Sequence, residues 1–134
     1  MGILNICGAD MVAVVLAIKP EFVKKILSGD KRFEFRKVCP RKAVDEIIIY
    51  ETRPMKKVVG AARVVRIISM GPDEMWEIVK NNAGVSYEFF KSYFAGCDVA
   101  YAYCLGDVVR YDAPKTLAEI GLKSPPQGLV YLDS

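Results

Sequence analysis

Valine and isoleucine come along this chain in short runs, each cut by glycine, proline or charged residues before it grows long. The longest uninterrupted apolar stretch, Met11–Ile18, has eight residues, far short of the ~20 that span a bilayer. Brief runs rich in β-branched side chains predict strands. They recur at 11–18, 31–37, 45–51, 57–69, 99–105, 108–111 and 129–132. Gly60 marks a bulge or bend in the 57–69 run, and Thr52-Arg53-Pro54 turns the chain just before it.

Helical signals fall between the runs. Pro20 suits a first helical position, Phe22, Val23, Ile26 and Leu27 share a stripe, and Gly29 is the stop. Pro72 opens a second helix carrying Met75, Trp76 and Val79, which Asn82 to Gly84 ends. Ser86 caps a third, stopped at Gly96, whose Phe89, Phe90, Tyr93 and Phe94 are expected in the core. Thr116 and Glu119 form a T-x-x-E capping box for a turn closing at Gly121. The pattern predicts an α+β, mainly β, fold: a mixed β-barrel of five or six strands, with a helix after the first strand and two or three further short helices. Closure would remove the exposed sheet edges.

A length of 134 residues, 52% of them hydrophobic, accommodates one core. The domain is placed at 11–134, with 1–10 read as an N-terminal leader that need not be ordered. No basic n-region or cleavage site marks the start, so a cytoplasmic location without a membrane partner is expected.

The residue inventory excludes several chemistries. There is no histidine, and Cys7, Cys39, Cys97 and Cys104 are scattered without a CxxC pair. Ser-His and Cys-His dyads and His-ligated metals are therefore out, and neither a metal nor a cofactor is expected. Hydrolytic chemistry would have to use Lys, Asp or Glu, Tyr, Ser or Thr, unless a metal is held by oxygen ligands alone. Charge is uneven: residues 19–66 hold fourteen Lys and Arg against six Asp and Glu, while 67–134 hold five against nine. The basic half is either a solvated surface or a patch that attracts polyanions.

One segment stands apart, Gly29-Asp30-Lys31-Arg32-Phe33-Glu34-Phe35-Arg36. It starts at a helix stop and enters a strand in which Arg32, Glu34 and Arg36 share a face. Set in a cleft, they offer forked donors and an acceptor suited to a base edge or phosphate. Strict alternation would send Lys31 with the phenylalanines, so the turn at Gly29 is taken to redirect it. A partly desolvated lysine near an arginine can act as base or nucleophile. The plainer reading is an edge strand with charges in solvent.

The spacing G-x-K-x-x-E-x-R, met by Gly29, Lys31, Glu34 and Arg36, resembles the hallmark of the ASCH domain family within the PUA-like superfamily. LAIKPEFVKKILSG before it is similar to the family's strand–helix opening. IIIYETRPMKKVVGAARV and the tail with Pro125-Pro126-Gln127 resemble an archaeal-type subgroup of predicted transcriptional regulators. The resemblance runs over roughly 11–132 and implies a PUA-like barrel with a cleft facing the motif strand, and a role in RNA metabolism. Some members resemble ribonucleases. A small amidohydrolase branch acts on acetylated cytidine with the motif lysine, a threonine at the motif's glutamate position and a later glutamate. Here Glu34 stands where that branch has threonine, which argues against its triad.

Other candidates are Lys19, able to project into the same cleft or be an ordinary solvated lysine, and the strand end Tyr50, Thr52 and Arg53. Tyr50 is either a half-buried strand residue or a stacking platform for a base. Gln127, after a stiff Pro-Pro pair, can present its amide to a base edge or to water. Lys56, Lys57, Arg63 and Arg66 extend the basic surface toward phosphates. The leading expectation is a module binding RNA, a nucleoside or a nucleotide through Lys19, Lys31, Glu34, Arg36, Tyr50, Thr52, Arg53 and Gln127. The alternative is a small hydrolase of RNA or a modified nucleoside using Lys31 and Glu34. DNA is less favoured because no basic recognition helix is apparent.

Overall fold

In the computed structural model, which describes residues 12–132, the first apolar run is strand β1 (Val12–Ile18). It leads directly into α1 (Pro20–Ser28), where Pro20 takes a first-turn position and Gly29, at φ 88°, closes the helix by donating its N–H to Ile26. The motif strand β2 (Phe33–Arg36) and β3 (Val44–Glu51) follow. After the turn at 52–55 comes the long β4 (Lys57–Met70). Helices α2 (Pro72–Val79), prolonged by a 3₁₀ turn, and α3 (Tyr87–Tyr93) lead to β5 (Ala100–Lys115). Beyond a 3₁₀ turn at 118–120, β6 (Leu129–Leu132) ends the described chain. The caps work as their chemistry demands: Ser86 Oγ accepts from the Phe89 N–H at 3.0 Å, and Thr116 Oγ1 accepts from the Glu119 N–H at 3.2 Å. The leader expected at 1–10 lies outside the described residues.

The strands make one six-stranded sheet in the order β2-β5-β4-β3-β1-β6. β1 and β3 are parallel, joined by the long excursion through α1 and β2, as a parallel pair requires. All other neighbours are antiparallel. Although β2 and β1 stand four places apart in this order, Arg36 of β2 donates to the Ala17 carbonyl of β1 at 3.3 Å. The sheet therefore curls strongly.

It does not close into the expected barrel. β2 and β6, the two edges, share no ladder, and each is only four residues long. After Arg36 the chain leaves the edge through Val38-Cys39-Pro40, and proline has no N–H for a ladder. A side chain spans the opening instead: the Arg41 N–H donates to the Tyr131 hydroxyl at 2.6 Å.

A second difference concerns 99–111, expected as two strands. They form a single β5, because register shifts absorb the interruption at Gly106. A Cβ there would stand 2.9 Å from the Val65 side chain, so glycine lets β4 and β5 stay paired. Gly60 plays the expected part at another shift, where a Cβ would collide with the Val109 carbonyl oxygen.

Alternation divides the sheet's apolar residues between two faces. Leu16, Ile47, Ile49 and Tyr103 pack with Val23 and Ile26 of α1. Val15, Ile48, Tyr50 and Val58 face the other way, under Leu117, Ile120 and Leu122. Met75 and Val79 of α2 and Phe90 and Phe94 of α3 pack with Phe35, Ile68 and Ala102. Between α1 and α3, beside the end of β1, this packing leaves a hollow.

Candidate functional site

Four elements build that hollow, a cleft of about 230 Å³. β1 ends in it with Ala17, Ile18 and Lys19; α1 contributes Phe22, β2 contributes Glu34, Phe35 and Arg36, and α3 contributes Phe89 and Tyr93. Lys31 enters from the turn between α1 and β2. Charged groups thus stand among aromatic rings, in a partly water-excluded space.

Lys31 is 2% exposed. Its ammonium donates to the Ala83 carbonyl at 2.8 Å and stands 4.5 Å from the Phe35 ring centroid and 5.4 Å from that of Phe22. Burial pulls its pKa from the ordinary 10.5 down to about 8; Glu34 opposes this, while Lys25 and Arg36 add to it. Of the three ammonium protons, Ala83 and the rings leave donor capacity for a guest.

Glu34 is 7% exposed and is held by Arg36, whose Nε and Nη2 donate to its Oε2 at 3.1 and 2.7 Å. A forked guanidinium on a carboxylate orients both groups and offsets the cost of burying them. Arg36 also carries the bond to Ala17, so it links the motif strand to β1 across the cleft floor. The Tyr93 hydroxyl donates to the Phe35 carbonyl at 3.3 Å, and burial raises its pKa. Among the described residues no cluster of Cys, Asp or Glu gathers that could hold a metal ion.

A family model described as the ASCH domain matches residues 16–111, spanning β1 through most of β5. The chain belongs to the ASCH domain family. It is 35% identical over 127 residues to an ASCH domain-containing ribonuclease of Zymomonas mobilis, covering 92% of this chain and 86% of that one. The crystal structure of ASCH from Zymomonas mobilis is similar with a TM-score of 0.82 at 35% identity, over 90% of this chain and 87% of the other. A tyrosine-to-phenylalanine mutant of that protein gives the same TM-score at 34% identity, covering 90% of each chain.

In this ASCH chain the fold brings Lys19, Lys31, Glu34 and Arg36 to one cleft. Arg32 departs from the face it was expected to share: it precedes β2, and its guanidinium turns to the Leu105 carbonyl at 3.4 Å. Tyr50 is 3% exposed in the core on the sheet's other face, so it offers no ring for stacking. Thr52 and Arg53 follow β3 without lining the cleft, although the Thr52 N–H bonds the Ile18 carbonyl at its margin. Gln127 is exposed in the loop before β6, away from the cleft. Lys56, Lys57, Arg63 and Arg66 are exposed and outside it.

The sequence reading missed the aromatic wall. Phe89 and Tyr93 lie parallel, with centroids 6.3 Å apart, on a helix whose Phe90 and Phe94 already fill the core. Two aromatic pairs at i,i+4 on so short a helix exceed one buried stripe, and that surplus was the available signal. Gly84 was also missed; it lies against the Lys31 stem.

Proposed function

We propose that this ASCH domain binds RNA through the cleft of Lys31, Glu34 and Arg36, taking one nucleotide into it. The observation that carries the reading is a paired carboxylate–guanidinium and a buried ammonium set among four aromatic rings. Glu34 Oε1, which has no hydrogen bond among the described residues, accepts from a base amino group. Lys31 and Arg36 hold carbonyl or phosphate oxygens, and an unpaired base lies against the rings. Lys19 at the exposed rim guides the strand inward. The name of the Zymomonas mobilis relative, a ribonuclease, supports RNA as the polymer. The narrower likeness to transcriptional regulators draws no support from that relative.

Titration of single-stranded RNA oligomers into wild type and Glu34→Ala tests this. Wild type binds, with affinity falling as salt rises in proportion to the phosphates contacted, and Glu34→Ala loses roughly tenfold or more. Equal affinity in the variant would end the reading.

Hydrolysis is a second reading, favoured by the lowered pKa of Lys31 and by the relative's name. As a neutral amine, Lys31 would take the proton of a ribose 2′-hydroxyl as its oxygen bonds to the adjacent phosphorus. The P–O bond to the next ribose breaks, its 5′-oxygen leaves with a proton from water, and Arg36 stands beside the charge on the phosphoryl oxygens. Cleavage would then rise about tenfold per pH unit below pH 8 and level off above it, whereas binding by the ammonium weakens above pH 8. Absence of cleavage at every pH, with binding intact, leaves binding alone.

A further inference from the structure

The opening between the two sheet edges holds a second cavity, of about 470 Å³, within the size range of small-molecule sites. It shares two walls with the cleft, Arg36 and Tyr93, so the two hollows adjoin. Tyr103 of β5 lines it as well. Tyr103 is 0% exposed, yet its hydroxyl has no hydrogen-bond partner among the described residues. Buried polar groups are nearly always paired, and one that faces an empty volume calls for a partner within it. Tyr103 is also the ladder partner of Glu34, which ties it directly to the motif strand.

The rest of the lining has the chemistry of a nucleotide site. The Lys37 ammonium stands 4.8 Å from the Tyr93 ring centroid, and Tyr131 adds a second ring. Among the described residues no Asp or Glu lines this cavity, whereas Arg36, Lys37 and Arg41 do. Flat rings beside cations and a hydroxyl suit a base with its phosphate.

We propose that this cavity receives the next nucleotide of a single RNA strand whose neighbour occupies the Lys31–Glu34–Arg36 cleft. The inference rests on the RNA-binding reading and extends it to a minimal ligand of two linked nucleotides. Arg36, in the common wall, contacts the phosphodiester joining them. Tyr103 bonds the second base or its ribose.

Binding of ribonucleotide mono-, di- and trimers of each base to the whole chain tests this. Wild type should bind at least one dimer roughly tenfold more tightly than its monomer. Tyr103→Phe, which removes only the unpartnered oxygen, should erase most of that gain and leave monomer affinity unchanged. Gly128 lines the cavity, and a Cβ there meets nothing within 4 Å. Gly128→Trp, checked for unchanged circular dichroism, should therefore block the second nucleotide by bulk alone. Monomers binding as tightly as dimers, or a dimer advantage that survives both variants, would overturn the second site while the first cleft stands. Failure of every length to bind would overturn both.

Discussion

The side-chain stem of Lys31 occupies the space that a Cβ of Gly84 would need: a carbon built there would lie 2.5 Å from Lys31 Cβ and Cγ. Gly84 also has φ 71°, and the carbonyl of its neighbour Ala83 accepts the Lys31 ammonium. The connection before α3 thus seats the lysine of the motif, 53 residues away in sequence, by lacking a side chain.

Gly84→Ala should therefore act on both backbone and lysine. A non-glycine residue in the left-handed region costs about 1–2 kcal/mol, and displacing the lysine adds to it. Combined with Lys31→Gly, which removes the Cβ, Cγ and Cδ that the new methyl would meet, the steric part disappears, so the double variant should be less destabilised than the sum of the singles. Urea midpoints at constant slope measure this. Strict additivity would mean that the two positions do not touch.

Lys31 should give stability a distinctive pH dependence. Its pKa falls from 10.5 to about 8 on folding, so between those values the unfolded chain holds a proton that the folded chain has shed. Stability therefore rises with pH across that window, and the burial penalty is fully present below it. Relative to Lys31→Met, wild type should gain on the order of 1 kcal/mol between pH 8 and 9. The thiols of Cys39 and Cys104, raised by burial from 9.0, act in the opposite sense above that range. A difference independent of pH would show an ordinary lysine.

The Arg36–Glu34 pair should be worth more intact than either half alone. Arg36→Met leaves Glu34 buried without its guanidinium and removes the bond to Ala17. Loss of one partner of a buried pair costs about 3–5 kcal/mol; with Arg36 23% exposed, the lower end is expected. Glu34→Leu combined with Arg36→Met should recover most of that loss while abolishing RNA binding. Chemical denaturation and a binding titration on the same samples separate the two effects.

Gly60→Ala should destabilise the β4–β5 pairing by roughly 2 kcal/mol or more, because the new methyl meets the Val109 backbone oxygen rather than a movable side chain. Hydrogen exchange should show the loss concentrated along β4 and β5. Unchanged protection there would mean that the two strands can separate freely at the bulge.

Much of the secondary structure was readable because its signals are local. Pro20 and Gly29 bracket α1, Ser86 and the Thr116–Glu119 box cap their turns, and valine-rich runs become strands. β5 was misjudged because Gly106 resembles a break in isolation; only its approach to Val65 on β4 shows that it keeps two strands paired. Tyr50 was misjudged because Ile47 to Tyr50 is apolar at every position, so alternation names no outer face.

By itself the amino-acid order determined the motif and the turn that aims Lys31, since φ at Gly29 and the two-residue period of β2 act over a few bonds. Tertiary structure alone decided that Phe22, Phe89 and Tyr93 complete the cleft, that Arg36 reaches Ala17, and that the sheet stays open beside Tyr103. Those outcomes depend on how far a six-stranded sheet curls and which edges it leaves unpaired. Curl accumulates over strand pairings between distant segments, such as Phe33 with Cys104, and no short stretch of chain encodes it.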